Sequence, residues 1–302
     1  MKTQKWTKDN IPDIQDKTVL ITGANSGLGF EASKALAEKG ATVIMASRDR
    51  AKGEKAVQTL TEVYPSANID LMQLDLSSLQ DVRKFADEFN GQYETLDILI
   101  NNAGVMAPPY NTTADGFELQ IGVNHLGPFA LTGLILKKIL AAPTGRIVMV
   151  SSFIHKIGSI RFNDIHWKRK YARWPAYGQS KLANLLFTYE LDRRLQEANL
   201  RTMAVAAHPG YARTSLQRHT GLFSFLNHFM AQSPQMGVLP ILYAATEWQV
   251  GGGQFFGPNG IMELRGYPRK TRSSALSYDM EIARKLWALS EELTGVRYSF
   301  SK

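Results

Sequence analysis

The chain has 302 residues, of which 44% are hydrophobic and 21% are charged. These proportions are ordinary for a soluble globular protein with a large apolar core. The sequence contains no cysteine, which excludes disulfide bonds, thiolate metal sites, iron–sulfur clusters and a cysteine nucleophile. The formal net charge is +8, but acidic residues are interleaved with the basic ones, so we expect a solvated surface and no nucleic-acid partner.

The first 17 residues are polar and mixed in charge, without the apolar core of a secretory signal peptide. No apolar run approaches the ~18 residues that a membrane-spanning helix needs. No Ser-, Pro- or Gly-rich linker divides the chain, and no internal repeat is present. We therefore expect a single domain over residues 1–302, located in the cytoplasm and without a membrane anchor.

Short β-branched runs alternate along the chain with longer helical stripes. Buried strands are predicted at residues 18–22, 42–46, 69–74, 96–100, 146–150 and 201–207. Helices are predicted at 28–36, 51–63 and 79–89, in a long stretch after the fourth strand that ends at 140, at 177–197 and near 282–293. This alternation predicts an α/β fold: a Rossmann-like doubly wound parallel sheet with helices on both faces. Ligands of such sheets bind beyond the carboxyl ends of the strands.

A glycine-rich turn follows the first strand, where Thr22 leads into Gly23, Gly27 and Gly29 before the first helix. The G-x-x-x-G-x-G spacing allows a tight turn and close backbone approach, and the helix N-terminus favours a phosphate. The sequence therefore predicts a dinucleotide-binding turn. The alternative is a glycine-rich turn that binds nothing.

The residues after the second strand indicate which dinucleotide binds. An acidic residue there would bind the ribose hydroxyls of NAD, whereas an arginine would accept the 2′-phosphate of NADP. Ser47 and Arg48 come first, which favours NADP, while Asp49 follows and weakens that preference. In the alternative interpretation, Arg48 is a surface residue at the start of a helix.

Polar side chains and glycines follow the later strands as well. Tyr177 and Lys181 stand four apart on a predicted helix and therefore share one face, although an exposed pair is the alternative. Ser151 and Ser152 follow the fifth strand; chemistry alone does not distinguish them, and both can simply end the strand. The other residues at strand ends are Asp75, Leu76, Asn101, Gly104, Pro209, Gly210 and Thr214.

In combination these pieces resemble the short-chain dehydrogenase/reductase family, and within it the retinol dehydrogenase-like branch. In family order they are Thr22-Gly-Ala-Asn-Ser-Gly-Leu-Gly29, Asp75-Leu76, Asn101-Asn-Ala-Gly104, Val123-Asn-His-Leu-Gly127, Ser152, Tyr177 with Lys181, and Pro209-Gly210. Ser180-Lys-Leu-Ala-Asn184 and the long interval between Ser152 and Tyr177 point to the branch.

The resemblance implies a catalytic set of Asn124, Ser152, Tyr177 and Lys181, and it selects Ser152 rather than Ser151. It also implies that Asn124 holds a water that links Lys181 to solvent. Together with Arg48, the expected cofactor-binding residues are Gly23, Asn25, Ser26, Gly27, Leu28, Gly29, Asp75, Leu76, Asn101, Ala103, Gly104, Tyr177, Lys181, Pro209, Gly210 and Thr214.

The expected reaction is hydride transfer between NADP and an apolar aldehyde or ketone, or the corresponding alcohol, with Tyr177 as general acid and base. A free phenol has a pKa near ~10, and the charge of Lys181 is expected to lower the pKa of Tyr177. Ser152 would hydrogen-bond the substrate oxygen. The alternative is a nicotinamide-dinucleotide-sensing protein without catalysis. The six histidines show no metal-ligand spacing, so no metal is expected.

Two segments, residues 153–176 and 211–246, are expected to flank the substrate. Aromatic candidates for a roof over the site are Phe162, Trp167, Tyr171 and Trp174, and Phe153 and His155 either line the pocket or pack beneath the loop. The second segment carries an apolar run at 222–230. The alternative is that these side chains close the core or contact a second subunit. A homo-oligomer paired through the helices near Asn124 and Tyr177, as in the family, therefore stays open.

Overall fold

The computed structural model describes residues 5–211 and 232–301, and these residues contain one eight-stranded sheet. Its strands are β1 (Thr18–Thr22), β2 (Thr42–Ser47), β3 (Ile69–Gln73), β4 (Ile98–Asn101), β5 (Arg146–Val150), β6 (Met203–Ala207), β7 (Phe255–Pro258) and β8 (Pro268–Thr271). The longer helices are α1 (Gly27–Glu38), α2 (Arg50–Val63), α3 (Leu79–Gln92), α4 (Gly127–Ala141), α5 (Arg173–Glu197), α6 (Leu239–Thr246) and α7 (Met280–Thr294). A one-turn helix, Leu119–Ile121, and a π-helical stretch, Gly122–Leu126, lead into α4.

The strand order is β3-β2-β1-β4-β5-β6-β7-β8, and β1 to β7 are parallel. The order reverses between β1 and β4, where a doubly wound sheet opens a crevice at its carboxyl edge. The predicted Rossmann-like fold is therefore confirmed. Two strands were not predicted: β7 and β8, which pair antiparallel at the edge of the sheet. The Phe-Phe-Gly-Pro sequence of β7 has too few apolar residues to show a strand pattern.

Alternate residues of each inner strand face two different helix layers. In β1, Val19 and Ile21 pack on the side of α1, α2 and α6, whereas Leu20 packs on the side of α3, α4 and α5. All three side chains are fully buried. A strand that is covered on both faces needs apolar residues at every position, which explains the continuous apolar run in the sequence.

One helix in the described part of the chain, Leu119–Ala141, is long and apolar enough to cross a membrane by length and composition alone. Of its most apolar stretch, 83% is buried inside the protein. Phe129 and Leu131 of this helix lie in the core against β4 and β5. The apolar character is therefore that of a core helix.

The C-terminal helix covers the outer face of α4 and α5. Trp287 of α7 contacts Phe129 of α4 and Phe187 of α5, with ring centroids 5.2 and 5.8 Å apart. Tyr298, beyond α7, lies 4.6 Å from the Trp287 ring and donates its hydroxyl to the Phe129 carbonyl. The resemblance implies pairing of subunits through the helices near Asn124 and Tyr177, and the oligomeric state stays a prediction.

The end of the predicted substrate segment 211–246 belongs to the core. Leu239, Ile241 and Leu242 of α6 are buried and pack against β5, β6 and β7. This part of the segment is thus a structural helix, because its apolar residues close the sheet. Residues 212–231, with the apolar run at 222–230, lie outside the described residues, and their place beside the substrate stays a prediction.

The turn between β1 and α1 packs directly on the residues after β4. Thr22 Oγ1 accepts hydrogen bonds from the backbone N–H groups of Asn102 and Ala103, each at 3.0 Å. The Asn102 amide donates to the Thr22 carbonyl at 2.9 Å. Gly23 has a φ of +66°, and a Cβ on Gly29 would lie 2.7 Å from the Asn102 amide nitrogen and closer still to the Gly23 carbonyl oxygen. The turn therefore has no room for a side chain at position 29.

Gly29→Ala is expected to lower the midpoint of thermal unfolding, because the added methyl group must push apart the Gly23 carbonyl and the Asn102 amide. Overpacking of this kind costs about 1–3 kcal/mol. Gly91→Ala in α3 is the matched control: nothing lies within 4 Å of its added Cβ, and alanine is favoured over glycine in a helix by up to ~1 kcal/mol. An unfolding midpoint for Gly29→Ala at or above that of the wild type would contradict this packing.

Candidate active site

Three polar side chains converge where β5 ends. Tyr177 and Lys181 lie on one face of α5, with 7% and 5% of their surfaces exposed. Lys181 Nζ donates to the carbonyl of Val150, the last residue of β5, at 3.0 Å, and lies 5.7 Å from the centroid of the Tyr177 ring. The Ser152 hydroxyl lies close enough to Tyr177 to lower the pKa of the phenol, against the larger effect of burial. The structure thus brings together the phenol, the ammonium and the hydroxyl that the sequence singled out.

Burial determines the protonation of Tyr177 and Lys181. It raises the pKa of Tyr177 to about 12, against an opposing effect of the Ser152 hydrogen bond. It lowers the pKa of Lys181 to about 8. Burial is therefore the larger influence on the pKa of Tyr177 in this structure, and the lowering expected from the charge of Lys181 stays a prediction. Both groups keep their protons at neutral pH.

Of the two serines that follow β5, Ser152 is the one that acts on the pKa of the Tyr177 phenol. Ser151 is buried, and its hydroxyl donates to the Lys181 carbonyl at 2.8 Å. Ser152 is half-buried, and its Oγ accepts from the Ile154 N–H at 3.3 Å. Its hydroxyl also opposes the rise in the pKa of Tyr177. Ser151 thus joins the end of β5 to α5 through its hydroxyl. The structure favours Ser152 as the serine of the site, as the resemblance did.

Asn124 lies in the π-helical stretch, a distortion that is frequent at functional sites. Its amide nitrogen donates to the Val105 carbonyl at 2.9 Å and to the Ser180 hydroxyl at 2.8 Å, and its oxygen accepts from the Val105 N–H at 2.7 Å. Ser180 donates onward to the Tyr177 carbonyl at 2.8 Å. Asn124 therefore fastens the loop after β4 to α5. Both of its amide hydrogens are used, so a water held by this side chain would have to donate to Oδ1. The water itself stays a prediction.

The glycine turn presents the N-terminus of α1 to the crevice. Ser26 is the N-cap residue of α1 and is exposed, and Asn25 is half-buried. Leu28 differs from its neighbours, because its side chain packs in the core. The first N–H groups of a helix lack partners within the helix and favour an anion. The turn is therefore suited to a diphosphate held by backbone groups.

Sequence reasoning missed Asn102, whose side chain fixes the glycine turn to β4. The neighbouring Asn101, which was predicted to line the cofactor, instead donates its amide to Thr132 of α4 at 3.1 Å and is only 2% exposed. The side chain of Asn101 is thus directed into the helix layer. Both asparagines stand in the same four-residue motif, so a signal was present, but the sequence does not tell which of them faces the turn.

Arg48 is exposed at the carboxyl end of β2. Asp49 is the N-cap residue of α2: its carboxylate accepts from the Lys52 N–H at 3.1 Å and from the Lys52 ammonium at 2.5 Å. These bonds hold the pKa of Asp49 below its usual value. The carboxylate of Asp49, which weakened the preference for NADP, therefore caps α2, whereas Arg48 is exposed to solvent.

The other predicted cofactor residues lie along the same edge. Asp75, after β3, is half-buried and accepts from the Ser77 hydroxyl at 2.6 Å, and Leu76 is buried. A Cβ on Gly104 would lie 3.6 Å from Lys181 Nζ and 2.9 Å from Asn124 Oδ1. Gly104 therefore gives the ammonium the space that a side chain would fill.

The loop after β6 is held by a buried histidine. His208 Nδ1 accepts from the Gly210 N–H at 3.2 Å, so its Nε2 carries the hydrogen and donates to Glu263 at 3.1 Å. This hydrogen bond lowers the pKa of Glu263 to about 2. Pro209 and Gly210 are thereby placed beside the end of β6, as predicted. Thr214 lies outside the described residues.

Of the aromatic residues predicted to roof the site, one contacts Tyr177. Trp174 stands one turn before Tyr177 on α5, with ring centroids 6.3 Å apart. Phe162 packs with α5 and α7, and Trp167 is buried beneath the Arg161 guanidinium, 4.2 Å from its ring. Tyr171 donates to the Pro108 carbonyl at 2.9 Å. Phe162 and Trp167 thus follow the alternative interpretation, in which these aromatic side chains pack in the core.

The site as a whole fits a nicotinamide dinucleotide. A turn without side chains and a helix N-terminus stand at one end, and Arg48 stands beyond them at the end of β2. The phenol, ammonium and hydroxyl stand at the other end, next to the space that Gly104 leaves open.

Comparison with known proteins agrees with this architecture. Residues 17–222 match the family model described as short chain dehydrogenase. The chain is 41% identical over 295 residues to retinol dehydrogenase 13 of Homo sapiens, which covers 94% of this chain and 86% of that protein. It is 40% identical to retinol dehydrogenase 14 of Homo sapiens, over 98% of this chain and 91% of that protein. The crystal structure of an uncharacterized protein from Mycobacterium paratuberculosis has a TM-score of 0.84 and 44% identity, covering 98% of this chain and 100% of that chain. The chain therefore belongs to the short chain dehydrogenase family and lies in its retinol dehydrogenase-like branch.

Proposed function

We propose that this short chain dehydrogenase transfers hydride between NADP and an apolar aldehyde or ketone, or the corresponding alcohol, with Tyr177 as general acid and base. One observation carries the proposal. The buried Tyr177 and Lys181 meet Ser152 at the carboxyl edge of the sheet, and the glycine turn opens onto the same edge. A proton donor and a phosphate-binding turn are thus placed along one crevice.

Tyr177 exchanges the proton at the substrate oxygen. Because its pKa is raised to about 12, the phenol holds its proton at neutral pH, which is the form that protonates a carbonyl oxygen during reduction. Ser152 hydrogen-bonds the same oxygen and keeps it in line. Lys181, still protonated at neutral pH, stabilises the phenolate that forms. When bound, NADP supplies the hydride.

The substrate class is supported by the wall of the site and by the relatives. Trp174 stands next to the phenol, and Phe153 is half-buried directly after Ser152. Aromatic and apolar walls with few polar groups suit an apolar ligand. The proteins of about 40% identity are named retinol dehydrogenases, and retinol is an apolar alcohol.

The choice of NADP is supported by the end of β2. Arg48 is exposed and directed away from the core, where a guanidinium can pair with a 2′-phosphate. The competing carboxylate of Asp49 caps α2. A non-catalytic dinucleotide sensor is the alternative function, and the assembled Tyr177, Lys181 and Ser152 favour catalysis over it. The cytoplasmic location and the oligomeric state stay predictions.

Tyr177→Phe is expected to lower kcat by about 10²- to 10⁴-fold, the usual contribution of a positioned proton donor. Dinucleotide affinity should change little, because only the hydroxyl is lost. Turnover is measured by nicotinamide absorbance with a panel of apolar aldehydes and ketones. Tyr93→Phe is the matched control, since its hydroxyl donates to Asp70 near the start of β3, and it should keep the wild-type kcat.

Retained turnover in Tyr177→Phe would contradict the role of the phenol. A wild-type protein that binds the dinucleotide but turns over no carbonyl or alcohol in the panel would instead support the sensor.

Arg48→Ala is expected to weaken NADPH binding by about 10- to 100-fold, because a charge-assisted hydrogen bond contributes about 1.5–3 kcal/mol. NADH binding, which lacks the 2′-phosphate, should barely change. Both affinities are measured by fluorescence titration. Arg50→Ala is the control, since this side chain pairs with Glu54 on α2 at 2.9 Å. Equal wild-type affinities for NADPH and NADH would contradict the choice of cofactor.

A further inference from the structure

A fully buried imidazole lies directly behind Ser152. His155 is 0% exposed, and its Nδ1 is 2.6 Å from the Ser152 carbonyl oxygen. On the other side of the ring, Nε2 is 3.0 Å from the backbone nitrogen of Ser274, which stands 119 residues later in the chain. The ring therefore bridges the loop after β5 and the segment after β8.

The hydrogen bonds fix the tautomer of His155. The Ser274 backbone N–H can only donate, so Nε2 must accept. Nδ1 then carries the ring hydrogen and donates it to the Ser152 carbonyl, which can only accept. Burial lowers the pKa of His155 to about 4, so the ring is neutral at neutral pH and this tautomer persists.

We propose that His155 is a positioning residue: its Nδ1–H holds the Ser152 backbone so that the Ser152 hydroxyl faces Tyr177. The inference rests on the proposed function, in which Ser152 orients the substrate oxygen. The Ser152 carbonyl also accepts from the His155 backbone N–H at 3.0 Å. Two donors of one residue thus fix the peptide that carries the hydroxyl.

The ring is held from three sides, which makes it a rigid support. Phe255 of β7 packs edge-on against it, with ring centroids 5.6 Å apart. Ser274 is the N-cap residue of a 3-10 turn, Ala275–Tyr278. The residue before it is tied to α5, because Ser273 Oγ lies 2.8 Å from the Tyr189 hydroxyl. A displacement of the ring would have to move β7 or the segment that packs on α5.

Two amide substitutions separate the two hydrogen bonds of the ring. His155→Asn places an amide nitrogen where Nδ1 stands, so it keeps a donor for the Ser152 carbonyl and loses the acceptor for Ser274. His155→Gln places its amide oxygen where Nε2 stands, so it keeps the acceptor for Ser274 and loses the donor for Ser152. Both remove the aromatic contact with Phe255.

The experiment compares kcat, KM for the carbonyl, NADPH affinity and the thermal midpoint of these two variants. We expect His155→Asn to keep kcat within about 3-fold of the wild type. We expect His155→Gln to lose about 10- to 100-fold in kcat with unchanged NADPH affinity, since misplacement of a catalytic group by ~1 Å has such an effect. If His155 served only to stabilise the fold, His155→Asn would lose at least as much kcat as His155→Gln, because the shorter Asn side chain leaves the larger void.

A second variant tests the anchor without touching the ring. Ser274→Pro removes the N–H that fixes Nε2, and the φ of Ser274, −64°, is one that proline adopts. The Ser274 hydroxyl makes no hydrogen bond among the described residues, so little else is lost. We expect kcat to stay within about 3-fold of the wild type with unchanged NADPH affinity, as for His155→Asn, because both variants lose the Ser274 hydrogen bond and keep the donor for the Ser152 carbonyl. A loss of kcat as large as that of His155→Gln would contradict the proposal, because the Ser274 contact and not the Nδ1 donor would then position Ser152.

The outcomes distinguish this inference from the proposed function. A wild-type protein without turnover would overturn the proposed function, and the role of His155 with it. An active wild type in which His155→Asn and His155→Gln lose kcat equally would overturn only the inference. An active wild type with the predicted order of kcat would support both.

Discussion

The buried ammonium of Lys181 joins α5 to the end of β5, and the rest of the site depends on this contact. Its Nζ donates to the Val150 carbonyl at 3.0 Å, and the Asn184 amide donates to the same oxygen at 3.2 Å. A charge is withdrawn from water only where hydrogen bonds compensate. The contact therefore selects one register of α5 on the sheet, the register that brings Tyr177 to Ser152.

Burial of Lys181 also lowers the pKa of its ammonium, and this lowers the stability of the folded protein. The pKa of Lys181 in the folded protein, about 8, lies below its ordinary value of 10.5. The unfolded chain therefore binds this proton more tightly, and the group destabilises the fold at neutral pH. That cost falls as the pH rises from about 8 towards 10.5, where the unfolded chain also loses the proton. The two apolar cores on either side of the sheet offset it.

Local patterns were sufficient to predict six of the eight strands and the motifs, whereas packing between distant parts of the chain could not be predicted from them. The run from Thr18 to Thr22 identifies β1, because a strand buried on both faces is apolar throughout. The glycine turn follows from its spacing. By contrast, the burial of α6 and the pairing of β7 with β8 depend on contacts with distant strands. From the sequence, Phe162 can equally well line the pocket or pack in the core. Its packing against α5 and α7 in the structure decides for the core.

Within the site, the identity of the residues was predictable and their directions were not. Asn101 and Asn102 are chemically identical neighbours, yet one contacts α4 and the other holds the glycine turn. The pKa of Tyr177 depends on how much solvent the fold removes, which spacing does not report. His155 was an ambiguous loop residue in the sequence because its partner, Ser274, is supplied by the far end of the chain.

A crystal structure of the protein with NADPH bound tests the central claim most directly. The account predicts the diphosphate at the turn between Gly23 and Gly29, with the nicotinamide end beside Tyr177. It also predicts Lys181 Nζ within hydrogen-bonding distance, ~2.6–3.2 Å, of the adjoining ribose. A dinucleotide bound with its nicotinamide away from Tyr177 and Ser152, or excluded from the glycine turn, would contradict it.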